Sequence, residues 1–209
     1  MEMKWKHPYG IMAPSHTREN DMKTIYILLT RSGTLLSNLV YFFTADSYTH
    51  ASISFDHSLQ PLYSSARKNG ETLFPAGPCR EYFHRGFYKK HRHIPCALYA
   101  LEVPDAHYDQ AKTEVAQIID HESEYHFNII GLVLCRMGIP FRRKRNFFCS
   151  QFVSEILLRS RALELPKVPS LMRPSDYANI QQLQCLYRGT LQELVAQRDR
   201  IVDAEAVSI

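Results

Sequence analysis

Between Asn146 and Leu157 the chain sets a cysteine at the head of an apolar stripe with helical spacing. Phe152, Val153, Ile156 and Leu157 follow Cys149 at offsets of three, four, seven and eight. Those offsets return to one side of a 3.6-residue helix, so Cys149 shares the face that packs inward. Few other arrangements satisfy this window, because a strand would scatter the same residues over two faces. A cysteine in the first helical turn also sits where unpaired backbone N–H groups and the macrodipole favour a thiolate. An ordinary thiol, with a pKa of about 8.5, is mostly protonated at neutral pH and a weak nucleophile. A small buried hydrophobe is the competing reading of the same residue.

Upstream, the periodicity changes. Thr24–Thr30 is a short apolar run rich in β-formers and predicts a buried strand. Ser32 or Thr34 can cap a helix carrying Leu35, Leu36, Leu39, Val40 and Phe43. In Tyr48–Asp56, Ala51, Ile53 and Phe55 alternate with Ser52 and Ser54, as in a half-buried strand, and His50 lies at its start. Asp56-His57-Ser58 turns the chain toward a partner strand over Pro61–Ser65. Residues 67–93 hold Gly, Pro, Arg and aromatics without period and predict a long loop, a length usually reserved for covering a site.

Pro95–Val103 predicts a further strand, Tyr108–His121 a helix, and Phe127–Met137 a second helix closed by Gly138 and Pro140. After the cysteine helix come a Pro-rich connection, a strand near Leu183–Tyr187 and a polar helix from Leu191 to Val202. The expected class is α+β, a small antiparallel sheet with helices packed on it. The expected division is a poorly ordered lead-in over 1–22, one domain over 23–188, and a C-terminal polar helix and tail over 189–209.

A chain of 209 residues, 45% apolar and 22% charged, can build a core that needs no disulfides. Its five cysteines are odd in number and form no CxxC pair, which favours reduced thiols and a cytoplasmic setting. The first twenty residues lack the apolar core of a signal peptide, and no apolar run is long enough to span a bilayer. The net charge of +4 is concentrated at Arg80–His93 and Arg142–Arg145. Without a nucleic-acid fold signature, the second cluster reads as a solvated loop and no nucleic-acid partner is expected. Its charge can also help depress a nearby thiol. His91, His93, Cys79 and Cys96 show no tetrahedral ligand spacing, and the surrounding Lys and Arg repel a divalent ion, so neither metal nor other cofactor is expected.

A thiol nucleophile needs a base and the base an orienter. Position singles out His50 among ten histidines, since a core strand holds an imidazole rigidly. Taken together, Tyr48-Thr49-His50-Ala51-Ser52-Ile53-Ser54 and, about a hundred residues later, Phe148-Cys149-Ser150-Gln151-Phe152-Val153 resemble the circularly permuted NlpC-type, papain-like cysteine hydrolases. The YiiX-like branch and, more distantly, the lecithin retinol acyltransferase-like proteins belong to that group. Leu28–Ser37 and Leu62–Lys68 are similar to further segments of it, and the resemblance covers roughly residues 24–176.

The resemblance implies a half-barrel sheet with the histidine strand before the cysteine helix, Cys149 as nucleophile and His50 as base. It places the orienter on the strand after the histidine, where Ser64 in Tyr63-Ser64-Ser65 is the candidate. A serine can accept from an imidazole N–H but stabilises imidazolium less than a carboxylate does. Tyr48 and Ser150 are the expected oxyanion or substrate contacts, with helix-terminal amides beside them. The implied activity is hydrolysis or acyl transfer on a peptide, amide or lipid ester through an acyl-cysteine. The alternative is a catalytically weak or inactive binding domain on the same frame. The oligomeric state is left open.

Overall fold

The structure, a computed structural model, describes residues 21–31, 46–67 and 75–207, with side chains as far as residue 199. The expected helix over Leu35–Phe43 and nearly all of the lead-in lie outside those residues. The fold is α+β. Six strands form one antiparallel sheet in the order β4-β3-β2-β1-β5-β8. They are β1 (Met22–Thr30), β2 (His50–Ser54), β3 (Leu62–Arg67), β4 (Ala76–Glu81), β5 (Pro95–Pro104) and β8 (Gln184–Thr190).

The helices are α1 (Gly86–Lys90), α2 (Asp105–Asp120), α3 (Ile129–Arg136), α4 (Cys149–Arg159) and α5 (Leu191–Val207). Two-residue strands β6 (His126–Phe127) and β7 (Asn146–Phe147) pair in parallel and clamp the ends of the α3 excursion together.

The unbroken apolar run of β1 is explained by burial on both faces. Ile25, Ile27 and Leu29 join Ala97, Tyr99 and Leu101 of β5 in a core shared with α2 and α4. Leu28 points the other way, toward Cys96, Leu98, Tyr88 of α1, and Leu191, Leu194 and Val195 of α5. The sheet is therefore a middle layer. α5 is polar along much of its surface, yet those three residues seat it in the second core.

The long loop expected over 67–93 is corrected in part, because it contains β4 and α1. β4 escapes recognition because Gly77 and Pro78 break its pattern. As the last strand of the sheet it can accommodate Pro78, since proline is tolerated on edge strands. Gly77 is required for packing: a Cβ there would come within 3.0 Å of the Tyr125 carbonyl oxygen.

Candidate active site

β2 begins opposite the end of β1, with His50 in register with Thr30. On the far side of β3, β4 ends at Glu81. The third component is the N-terminus of α4, whose first residue is Cys149. Its apolar face, Phe152, Val153, Ile156 and Leu157, is fully buried and locks the helix against the sheet. Cys149 is 6% exposed, with its sulfur 3.9 Å from the Thr49 carbonyl oxygen just before β2.

These elements bring three titratable groups into one chain of contacts. Both carboxylate oxygens of Glu81 lie 3.1 Å from His50 Nε2. His50 and Cys149 also act on each other's ionisation, the ring lowering the thiol and the sulfur raising the imidazole. Ser52 Oγ donates to Glu81 Oε2 at 2.6 Å and lies 3.2 Å from His50 Nε2. The hydroxyl of Tyr88, buried in the second core, lies 3.4 Å from Ser52 Oγ and helps to hold the Glu81 carboxyl ionised.

The electrostatics follow from that order. Burial alone lowers the pKa of His50, but the Glu81 charge and hydrogen bonds to Cys149 and Glu81 outweigh it and raise it from 6.5 to about 10. Burial pushes the Cys149 thiol up. The His50 hydrogen bond and charge, with the N–H groups of Ala51 and Ser150, more than reverse this and leave it below its ordinary 9.0. For Glu81, burial again opposes ionisation, while His50, Ser52 and Tyr88 hold the carboxyl below 4.5. At neutral pH the carboxylate and imidazolium are thus favoured, and the Cys149 thiol is biased toward its thiolate. Such a group can deliver a nucleophile and a proton to one acyl carbon.

The expected orienter is replaced. Ser64 is fully buried, and its hydroxyl donates to the Ala51 carbonyl at 2.7 Å, tying β3 to β2 instead of holding the imidazole. Tyr48 is likewise not an oxyanion donor. Its ring sits in the main core, and its hydroxyl, raised by burial, has Arg188, Tyr99, Cys96 and Cys185 as charge neighbours. Ser150 splits its role: the hydroxyl donates to the Met172 carbonyl at 2.7 Å, while its N–H faces the Cys149 sulfur.

Glu81, Ser52 and Tyr88 are the members that sequence reasoning did not assign. The one signal for Ser52 was its alternation with His50; Glu81 and Tyr88 lay in the apparently aperiodic stretch.

Further polar bonds fix the nucleophile helix. Tyr177 donates to the Ser150 carbonyl at 3.0 Å and lies 2.6 Å from Ser154 Oγ. Asn128, the N-cap of α3, accepts from Gly131 N at 2.9 Å and donates to Gln151 Oε1 at 3.2 Å. Among the described residues no group of three His, Cys, Asp or Glu side chains is gathered as a metal site. No family model, curated protein or solved structure matches this chain.

Proposed function

We propose that the chain is a cysteine hydrolase or acyltransferase of the permuted papain-like kind, working through an acyl-Cys149 intermediate. The observation that carries the proposal is the part-buried His50–Glu81 pair, with two 3.1 Å contacts to one imidazole nitrogen, electrostatically coupled to Cys149 at the α4 N-terminus. The alternative of a weak or inactive domain rests on serine as the orienter. A carboxylate in that place removes the premise, since it stabilises imidazolium directly.

In the first half-reaction the Cys149 thiolate forms a bond to the acyl carbon of an amide or ester. The carbonyl oxygen takes the negative charge, and the Cys149 N–H, at the first helical position and without an intrahelical acceptor, is a donor for it. His50 then gives its proton to the leaving nitrogen or oxygen as the acyl–N or acyl–O bond breaks. In the second half, water or an acceptor alcohol or amine loses a proton to His50 and attacks the thioester. The carbon–sulfur bond breaks and the thiolate returns. Glu81 stays ionised throughout and holds the ring.

The test is alkylation of single cysteines by iodoacetamide between pH 5 and 9, read by peptide mass, with an activated p-nitrophenyl ester as acyl donor. Cys149 should react at pH 6 faster than the exposed Cys185, and should carry a transient acyl mass. His50→Ala and Glu81→Gln should each lose the acid-side reaction, and Ser64→Ala should retain it. Equal pH dependence for Cys149 and Cys185 would sink the proposal.

A further inference from the structure

One surface beside the nucleophile helix has no place in the acyl-transfer chemistry. α3 turns Gly131 and Cys135 inward and leaves Ile130, Val133 and Met137 outward, at offsets of three and seven on one face. With Ile139 just beyond the helix and Leu158 on α4, these aliphatic side chains are between 44 and 66% exposed. Clustered large aliphatic residues in water mark a docking surface more often than scattered ones do.

The basic turn lies alongside. Gln151, Glu155 and Leu158 occupy one stripe of α4, at offsets of four and seven. Asn128, at the start of α3, bonds Gln151, and Arg142 pairs with Glu155 at 3.2 Å. The α3 start and the turn over residues 142–145 therefore flank the same strip, from which Leu158 protrudes. Arg145, at the far end of the turn, bonds His126 through its carbonyl and so returns the chain to the α3 entrance.

The turn lines a cleft of about 320 Å³ walled by Arg142, Arg143, Lys144, Arg145, Phe147 and Arg159. Arg142 and Arg159 are committed to Glu155, and Arg145 pairs with Glu124 at 2.5 Å. Arg143 and Lys144 make no ion pair among the described residues and are exposed.

We propose that this face docks on an anionic phospholipid bilayer, with the outward residues of α3 entering the interface and the 142–145 turn binding phosphate head groups. Charge complementarity decides the occupant. A short helix with an aliphatic outer face next to clustered cations suits the boundary between acyl chains and anionic head groups. A nucleic acid would use the cations but has no use for five protruding aliphatic side chains. The proposal stands independently of what Cys149 does.

The test is co-sedimentation of the full chain with sucrose-loaded phosphatidylcholine vesicles, with and without roughly one-third phosphatidylserine. Binding is expected to the anionic vesicles alone, weakening as salt is added. The pair R143A/K144A should lower the partition coefficient about fivefold for each charge removed. V133S/M137S, at exposed positions that leave the core intact, should lower it about tenfold while circular dichroism stays unchanged. Failure of the unmodified chain to pellet with anionic vesicles overturns the proposal. So does pelleting that V133S/M137S leaves unaltered, or tighter binding to a single-stranded RNA than to the vesicles.

Discussion

At His50 a neutral imidazole would be the default for a buried ring, and the reversal depends on one carboxylate. Glu81→Gln keeps the shape and removes the charge, so the His50 pKa falls back from about 10 and the Cys149 thiolate loses its partner. Alkylation of Cys149 at pH 6 is expected to slow by about tenfold or more, since each pKa unit is about 1.36 kcal/mol. The same change should cost about 1–3 kcal/mol of stability, the range for a hydrogen bond to a charged group.

The pH window of that cost has a definite sign. A histidine raised from 6.5 to about 10 stabilises fully below 6.5 and loses this as pH climbs toward 10. A carboxyl held below 4.5 stabilises above 4.5 and loses this on acidification through its depressed pKa. The gap in urea midpoint between the native sequence and Glu81→Gln should therefore be widest at about pH 5–6 and close on both sides.

At the scale of elements, α4 carries Cys149, and its neighbours hold it in place. Asn128 both caps α3 and reaches Gln151 on α4, so Asn128→Ala removes a helix cap and leaves a buried amide oxygen short of a donor. A loss of about 1–3 kcal/mol is expected by urea denaturation. Gly131→Ala acts on the same joint, because a Cβ there would lie 2.2 Å from Asn128 Nδ2 and force the cap out. Its cost should not add to that of Asn128→Ala in the double variant, which a double-mutant cycle measures.

The elements also show where sequence reasoning succeeds. The apolar spacing after Cys149 and the alternation around Ile53 are long-lived signals, because each is enforced by a packed face. β4 consists of Ala, Gly, Pro and Cys followed by two charges, with no alternation, and only its pairing with β3 makes it a strand. Glu81 was thus illegible for a topological reason: it is brought to His50 by a strand with no pattern of its own. Ser64 was the plausible substitute since it follows the histidine strand directly. The ladder, however, spends its hydroxyl on the Ala51 carbonyl.

For the whole molecule, burial on both faces of the sheet makes the two cores interdependent. Leu194 is 5% exposed in the core that also seats Tyr88, and Tyr88 meets Ser52, which bonds Glu81. Leu194→Ala should cost about 2–4 kcal/mol in chemical denaturation, as a buried leucine truncation does. A single unfolding transition, with Cys149 alkylation and circular dichroism changing together, is expected if the layers form one cooperative unit.

β1 occupies the middle of the sheet, between β2 and β5. During synthesis a β1–β2 hairpin can form early, but its other edge finds no partner until residues 95–104 have been made. His50 and Glu81 can meet soon afterwards, whereas Cys149 joins them only when most of the domain has left the ribosome. A nascent or truncated chain thus carries the proton-handling half of the site without its sulfur. Any reactivity of Cys149 that depends on His50 and Glu81 therefore begins only after the fold that governs it is nearly complete.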